Sequence, residues 1–289
     1  MNSILGLGDN TFDVYLDQAK EFPGGNAVNV AVFAARLGMR AAYLGRVGED
    51  AEGAWLKTAL QTEKVETAYV QTDKQTSTAW TCVRHEAGNR VFIGSDQGAS
   101  AKLVLNEAQQ AYLASFAMIH TSIYSHTVKY LPAFQRMGLR VSFDFSDEWK
   151  DRFLTDICPY IEVGIISLAG SSETLIQAQL EKMLQAGAKV AIATMGADGV
   201  MVKSRLGFVK AKGEPINVVD TLGAGDGFIA GFLASYITNQ SLPDATQAGI
   251  QFAEKVCQEE GGWGHARALS PDRADAILRY CESHTLSPV

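Results

Sequence analysis

Cysteine is scarce in this sequence and widely dispersed. The 289 residues include four cysteines, at positions 82, 158, 257 and 281, and no two of them form a CxxC pair. This spacing predicts free thiols in a reducing cytosol rather than a disulfide framework. The first residues, Met-Asn-Ser-Ile-Leu-Gly, lack a basic flank and a long apolar run. We therefore expect no secretory signal, no transmembrane helix and a cytoplasmic protein.

Positive charge is also in short supply. Lysine and arginine total 25 against 32 acidic residues, which gives a net charge of −7. No long basic run occurs that would neutralise a row of phosphates, so we expect no nucleic-acid partner. Hydrophobic residues make up 47% of the chain, without a low-complexity tract, which predicts a large packed core. The length suits one large α/β unit with a small appendage.

Two common nucleotide-binding motifs are missing. No GxxxxGK(S/T) loop occurs, which excludes a P-loop site. A GxGxxG fingerprint read from Gly223 would need glycine where Phe228 stands, so a nicotinamide site fits poorly.

The most informative stretch is residues 218–232, Val-Val-Asp-Thr-Leu-Gly-Ala-Gly-Asp-Gly-Phe-Ile-Ala-Gly-Phe. A β-branched pair leads into a loop of small residues, and apolar residues at helical spacing follow, so the loop should lie at a helix N-terminus. Unpaired N–H groups and the helix dipole make such a terminus a binding place for anions. Asp226 lies in the same turn, where it could take a proton from a hydroxyl that attacks a phosphate. The pattern favours phosphoryl transfer, and a glycine-rich turn with a capping aspartate is the alternative.

Residues 220–226, Asp-Thr-Leu-Gly-Ala-Gly-Asp, resemble the second signature of the ribokinase-like (PfkB) carbohydrate kinases. The resemblance implies ATP and Mg²⁺ as cofactors and leaves a monovalent cation open. It makes Asp226 the base that activates the acceptor hydroxyl. The backbone amides that would form an anion hole for the transferred group belong to Gly223, Ala224 and Gly225. Those residues that would lie near the ATP phosphates are Asp220 and Thr221.

A second glycine motif lies near the N-terminus. The apolar run 4–7 predicts a buried strand, and Asp9 and Asp13 follow it. Ligands of open α/β sheets bind beyond the carboxyl ends of strands, so these carboxylates either grip sugar hydroxyls or are solvated turn acids. Gly24 and Gly25 then precede a predicted helix that carries Asn29. Residues 22–38 resemble the first signature of the same family, which implies that Asp13, Gly25 and Asn29 hold the sugar, with Asp9 and Gly24 beside them.

A predicted hairpin follows. Residues 76–83 and 90–93 are β-rich and flank a turn that contains glycine and asparagine. With residues 12–16 they would form a small sheet outside the main βα repeat. The resemblance implies a lid over the sugar, with strands at about 11–22 and 76–97 inserted in a single 1–289 domain. Arg90 either reaches the substrate or is a surface arginine. Exposed edge strands would favour a homodimer through the lid.

Strand and helix patterns alternate from residue 105 onward, which implies a mostly parallel sheet with helices on both faces. The expected fold is therefore a ribokinase-like three-layer α/β sandwich with a small β-sheet lid. Helices are predicted at 106–114, 125–137, 149–157, 171–186, 243–257 and 271–282, and strands at 68–71, 117–120, 140–143, 162–166 and 189–194. By the resemblance, residues 253–261 border the adenine, and the other nucleotide contacts are Ser167, Thr194, Gly196 and Gly199.

The sequence departs from the family pattern in two places. Where the family usually has Asn-x-x-Glu, residues 167–170 read Ser-Leu-Ala-Gly, and Glu173 arrives only later. The metal ligand therefore stays unassigned: Glu173 substitutes, or ATP holds the metal. Where many members have Asp-x-Asn-x-Arg, residues 144–148 read Asp-Phe-Ser-Asp-Glu. A cation is lost and acids are gained, which suits a substrate with an amine.

Residues 144–147, 8–10 and 24–31 together resemble the bacterial fructoselysine 6-kinase branch of the family, and Asp144 becomes a substrate-binding candidate. The resemblance implies an ATP-dependent kinase that phosphorylates the primary 6-hydroxyl of a fructosamine. The alternatives are a kinase of fructose, a nucleoside or another amino sugar, and a non-catalytic sugar-binding protein on the same fold.

Overall fold

The computed structural model describes residues 2–86 and 89–283. Over these residues the chain forms fourteen β-strands and nine α-helices. The strands are β1 Ser3–Gly8, β2 Thr11–Tyr15, β3 Lys20–Gly24, β4 Arg40–Gly48, β5 Gln71–Asp73, β6 Trp80–Glu86, β7 Asn89–Asp96, β8 Met118–Ser122, β9 Val141–Asp144, β10 Val163–Ser167, β11 Val190–Thr194, β12 Val200–Ser204, β13 Gly207–Ala211 and β14 Arg267–Ala268. The helices are α1 Asn26–Arg36, α2 Ala51–Thr62, α3 Glu107–Leu113, α4 Leu131–Arg136, α5 Asp151–Ile157, α6 Glu173–Ala186, α7 Ala224–Asn239, α8 Leu242–Val256 and α9 Pro271–Ser283.

Nine strands form one large sheet in the order β13-β12-β11-β10-β9-β8-β1-β4-β5. From β11 to β5 the strands are parallel, and β12 and β13 are antiparallel additions at one edge. Successive strand residues face opposite sides of a sheet: Ile4 packs into a core that includes side chains of α1, α7 and α8, and Leu5 into a core with those of α3 to α6. Helices thus cover both faces. The predicted fold class, a mostly parallel sheet between helical layers with a second small sheet, is confirmed.

The small sheet has the order β14-β3-β2-β6-β7. Strand β2 pairs antiparallel with β3 and parallel with β6, and β6 forms the predicted hairpin with β7. Residues 87 and 88, which belong to the predicted turn, lie outside the described residues. The pairing of β14 with β3 was not predicted, because two residues carry no periodic signal. Buried Glu21 on β3 makes ion pairs with Arg267 of β14 at 2.6 Å and with Arg273 of α9 at 2.8 Å. The C-terminal part of the chain is thereby fastened to the small sheet.

Two predicted elements are wrong. Instead of one helix over 125–137, the chain forms short 3₁₀ turns at Ile123–Ser125 and Val128–Tyr130, and α4 starts only at Leu131. Pro132 lies in the first turn of α4, where a proline is tolerated because it has no N–H to donate. The strand predicted at 68–71 begins only at Gln71, and Tyr69 before it packs against Tyr112 with a centroid distance of 4.3 Å.

The four cysteines are free, as predicted. Within the described ranges, none of the helices is long and apolar enough to cross a bilayer.

Candidate active site

The candidate residues gather at the carboxyl edge of the large sheet. Asp9 follows β1 directly, and the last residues of β9, β10 and β11 are Asp144, Ser167 and Thr194. These strands are close neighbours in a parallel sheet, so their ends lie at one edge, where open α/β folds bind ligands. The N-termini of α1 and α7 meet at the same edge, since the side chains of Asn26 and Asp226 are in contact there.

Helix α7 begins in the predicted glycine loop. Gly223 is its N-cap with φ 74°, a left-handed conformation that favours glycine. The N–H groups of Gly225 and Asp226 have no acceptor in the described part of the chain, while Ala224 N–H donates to Thr221 O at 3.2 Å. A Cβ built on Gly225 would meet nothing within 4 Å, so the space in front of this turn is open. Exposed, unpaired N–H groups at a helix N-terminus are suited to an anion.

The carboxylate of Asp226 is held from two sides by helix α1. Asn26 Nδ2 donates to its Oδ1 at 2.7 Å, and Asn29 Nδ2 donates to its Oδ2 at 2.6 Å. The pKa of Asp226 is raised to about 7, mainly by burial and also by the charges of Asp144 and Asp9, although the two amide hydrogen bonds lower it. A carboxylate with a pKa near neutrality can both accept and release a proton at physiological pH.

Asn26 donates hydrogen bonds to both carboxylates, a role that was not predicted from the sequence. Its Nδ2 donates to Asp144 Oδ2 at 2.9 Å as well as to Asp226. Its Oδ1 accepts a hydrogen bond from Nε2 of His120, at 2.8 Å. The signal was present: Asn26 and Asn29 are three residues apart on a predicted helix and therefore share a face. His120, fully buried in the middle of β8, gave no such signal.

Asp144 and Asn29 are also fixed by their surroundings. Burial raises the pKa of Asp144 to about 7, although the N–H of Ser146 and the amide of Asn26 donate to it. Asn29 is nine-tenths or more buried and accepts a hydrogen bond from Trp263 Nε1 at 2.8 Å. Both predicted substrate contacts are thus oriented before any ligand binds.

Asp9 is held by hydroxyl groups on one oxygen. Its Oδ1 accepts from Ser125 Oγ at 2.6 Å and from Ser122 Oγ at 2.9 Å. The 3₁₀ turn found in place of the predicted helix brings Ser125 to this position. Oδ2 of Asp9 accepts no hydrogen bond from any residue that the structure describes, so it stays available.

The remaining sugar candidates lie where the small sheet meets α1. A Cβ at Gly24 would lie 2.6 Å from Oδ2 of Asp13, and one at Gly25 would lie 2.6 Å from Asn10 Cα. Gly25 also has φ 110°, which excludes most other residues. Arg90 lies on β7, but its side chain is outside the described part of the structure.

The predicted nucleotide residues lie beside this cluster, on β10 and β11. Ser167 and Thr194 are direct neighbours in the sheet register. Gly196 and Gly199 form the turn after β11, both with positive φ, and Met195 N–H closes the turn by donating to Gly199 O at 2.8 Å. This glycine turn lies at the same sheet edge as Asp144.

Asp220 fastens the loop before α7. Its carboxylate accepts hydrogen bonds from the Tyr15 hydroxyl at 3.1 Å, from Gly261 N–H at 3.1 Å and from Leu222 N–H at 2.9 Å. Thr221 is exposed next to it. The loop is thereby connected to the small sheet and to the segment after α8.

No group of three or more His, Cys, Asp or Glu side chains that could hold a metal ion occurs in residues 2–86 and 89–283. Glu173, the candidate substitute ligand, makes an ion pair with Lys210 at 2.6 Å. The geometry therefore offers a carboxylate beside unpaired N–H groups at a helix N-terminus.

Comparisons with known proteins agree with this geometry. The family model of the pfkB family carbohydrate kinases matches residues 9–134 and 163–265. The fructoselysine 6-kinase of Escherichia coli (strain K12) is 35% identical over 91% of this chain and 100% of its own length. The fructosamine kinase of Bacillus subtilis (strain 168) is 34% identical over 91% of this chain and 93% of its own. Arabidopsis thaliana ribokinase, solved with ribose and ATP, superposes with a TM-score of 0.80 at 19% identity, covering 97% of this chain and 98% of that one. The chain belongs to the pfkB family of carbohydrate kinases.

Proposed function

We propose that this protein transfers the γ-phosphoryl group of ATP to the primary 6-hydroxyl of a fructosamine, with fructoselysine as the leading substrate. The observation that carries the proposal is the first turn of α7. There a carboxylate with a pKa of about 7 stands beside open, unpaired N–H groups. The fructoselysine and fructosamine kinases at 34–35% identity support the choice of acceptor.

Asp226 is the base in this proposal. An alcohol is a weak nucleophile, and a positioned base removes its proton as the bond to phosphorus forms. The proton leaves the acceptor hydroxyl and resides on a carboxyl oxygen of Asp226. Asn26 and Asn29 hold both of those oxygens at 2.6–2.7 Å, so the carboxylate has one orientation when the substrate arrives.

The helix N-terminus supplies the electrostatic half of the reaction. The predicted anion hole consists of the N–H groups of Gly223, Ala224 and Gly225, of which that of Ala224 is already engaged by Thr221 O. The N–H groups of Gly223 and Gly225, joined by that of Asp226 and by the helix dipole, stabilise negative charge that develops on the transferred group. The open space at Gly225 fits the approach of a phosphate, as does the glycine turn after β11 for the rest of the nucleotide. Magnesium would enter on the ATP phosphates, because this ion keeps most of its waters and needs few protein ligands.

The acceptor side is acidic. Asp9 Oδ2 and the carboxylate of Asp13 are candidates for sugar hydroxyls, and Asp144 is the candidate for the amine of a fructosamine. A protonated amine would be attracted to this cluster, whereas a phosphorylated sugar would be repelled. Specificity for the amine would therefore be electrostatic.

The small sheet acts as the lid in this proposal, since β2 and β3 carry Asp13 and Gly24. Closing a lid excludes the water that would otherwise hydrolyse ATP. Strand β7 is an edge of the small sheet, and Phe92 on it is 73% exposed. Pairing of two lids through this edge would give the expected homodimer.

The decisive test is a panel of acceptors with purified protein, ATP and Mg²⁺, read as ADP release. We expect the highest kcat/KM on fructoselysine, a lower value on fructose, and the lowest on ribose and nucleosides. A matched pair, fructoselysine and its N-acetylated form, isolates the effect of the lysine moiety. Acetylation alters the charge of that moiety and leaves the sugar unchanged. A panel in which free fructose is the best substrate would refute the fructosamine assignment, and no ADP release with any sugar would refute the kinase activity.

A further inference from the structure

Two side chains that the proposed reaction does not use directly are connected to its base. Asn26 Nδ2 donates to Asp226 and Asp144, and Asn26 Oδ1 accepts from His120 Nε2 at 2.8 Å. His120 Nδ1 in turn lies 3.2 Å from Ser142 Oγ. The chain Ser142, His120, Asn26, Asp226 is a continuous hydrogen-bonded path from the sheet to the active site.

We propose that His120 and Asn26 form a positioning relay, in which a neutral imidazole locks the Asn26 amide so that it orients Asp226 and sets the pH at which phosphoryl transfer begins. This inference rests on the proposed role of Asp226 as the base. His120 and Asn26 are positioning residues, because their effect reaches the substrate only through Asp226.

The orientation of the Asn26 amide follows from its partners. Its nitrogen faces two carboxyl groups, so a flipped amide would place Oδ1 against oxygens that accept and do not donate when they are ionised. Oδ1 of Asn26 therefore faces His120. Because this oxygen can only accept a hydrogen bond, His120 must carry a proton on Nε2. Nδ1 is then an acceptor, and the Ser142 hydroxyl donates to it. One tautomer of one histidine therefore fixes which end of Asn26 faces the base.

His120 is suited to this role because it does not change charge. It is 0% exposed, and burial lowers the pKa of its imidazole to about 3. It therefore remains a neutral donor across the physiological range. An imidazolium would donate from both nitrogens, and Ser142 could then no longer donate to Nδ1.

The pH effect follows from the groups that face Asp226. From β9 and the β1 end, the charges of Asp144 and Asp9 raise the pKa of Asp226, and from α1 the amides of Asn29 and Asn26 lower it. Loss of the Asn26 donor would leave the raising effects in place. The pKa of Asp226 would then increase, and the base would be protonated at a pH where the native enzyme has it ionised.

The test compares the pH dependence of kcat/KM in three variants of the full-length protein. His120→Met removes the donor at similar volume, His120→Gln retains an N–H donor near the position of Nε2, and Asn26→Leu removes the amide itself. We expect the acid limb of the profile to move up by about one pH unit in His120→Met, with roughly tenfold lower kcat/KM at acidic pH and recovery at alkaline pH. Asn26→Leu should shift it at least as far, and His120→Gln should move it back toward the native position.

Thr246→Val is the matched control. The side chain of Thr246 is fully buried, and the substitution removes the hydrogen bond that its hydroxyl donates to Leu242 O within α8. We expect a lower melting temperature and an unshifted pH profile. A purely structural role of His120 would give the same result in His120→Met, with equal loss at every pH, and would overturn the inference.

A measurement on the native protein covers the case in which the His120 variants do not fold. Nitrogen NMR of ¹⁵N-histidine-labelled protein should show His120 as a neutral imidazole protonated on Nε2 over the whole range from about pH 5 to about pH 8. A proton on Nδ1, or a charged ring, would overturn the relay. Failure of the function is distinguishable: if Asp226→Asn retains full turnover, Asp226 is not the base, whatever the tautomer of His120.

Discussion

The prediction that tests the site most directly is the substitution Asp226→Asn. The amide has nearly the same shape as the carboxylate but cannot accept the proton of the acceptor hydroxyl. A positioned base contributes about a hundredfold or more to the rate, which corresponds to about 3 kcal/mol in the activation free energy. We therefore expect kcat to fall by at least about two orders of magnitude.

The cost to the fold should be smaller than the cost to the reaction. Asp226 accepts two amide hydrogen bonds. An asparagine would keep one acceptor oxygen, but its NH2 group would face the other donor. One lost hydrogen bond costs about 1 kcal/mol. Removal of a carboxylate next to Asp144 and Asp9 offsets part of this cost. The melting temperature should consequently change by only a few degrees, on the order of 2–4 °C per kcal/mol in a chain of this size.

The assay measures ADP release by coupling to pyruvate kinase and lactate dehydrogenase, and calorimetry measures binding of the sugar and of an ATP analogue. The matched control is Asp244→Asn. Asp244 is the third residue of α8, as Asp226 is of α7, and it lies on a helix start outside the site. Near-native binding with lost turnover in Asp226→Asn, and native turnover in Asp244→Asn, is the expected pair of results. Native turnover in Asp226→Asn would refute its assignment as the base.

Three further predictions follow from the same site. Gly225→Ala should raise the melting temperature, because a helical glycine costs about 0.5–1 kcal/mol relative to alanine and the added methyl meets no atom within 4 Å. The same substitution should lower kcat/KM for ATP. An unchanged kcat/KM for ATP would contradict the proposed position of the phosphate in front of Gly225. Asp144→Asn should lower kcat/KM on fructoselysine by about tenfold, the scale of a charge-assisted hydrogen bond, and change that on fructose little. Equal losses on both sugars would show that Asp144 does not select the amine, and Asp156→Asn, at an exposed position on α5, is the control. The free energy of unfolding should fall as pH rises from about 4 to about 7. Asp226 and Asp144 have pKa values of about 7 in the folded protein against 3.8 when exposed, so the native state binds more protons in this window. Asp226→Asn should flatten the dependence of this free energy on pH, measured by urea titration, and an unaltered slope would contradict the raised pKa.

The family, the fold class and the start of α7 were predictable from the sequence because each depends on local pattern. Strand and helix periodicities alternate along the chain, and the glycine loop directly precedes an apolar helix. The predicted helix over 125–137 failed for a reason of the same kind. Apolar spacing favoured a helix there, but Ser125 turns inward to Asp9 and Pro132 restarts the helix at α4.

The internal order of the site was harder to predict. The glycine pair Gly24-Gly25 and the helix after it were predicted, but the pattern gave Asn26 no role as a hydrogen-bond donor to two aspartates. Its role depends on His120 and Asp144, which lie on strands β8 and β9, far from α1 in the sequence. A sequence shows which residue types are near one another along the chain. It does not show which distant strand ends meet, and that information is what gives Asn26 its function.

The contacts of helix α1 also set the order in which the candidate site is assembled during synthesis. Asn26 and Asp226 are separated by 200 positions, and Asn29 and Trp263 by 234. A ribosome-bound chain that has emerged only through β11 already has most of the large sheet, but it has neither the acid nor the indole that complete the pocket. Contacts between such distant positions form slowly, because a long loop must close first. Asp226 and Trp263 therefore join the candidate site only after the strands that position Asp9, Asp144 and Thr194 have been synthesised.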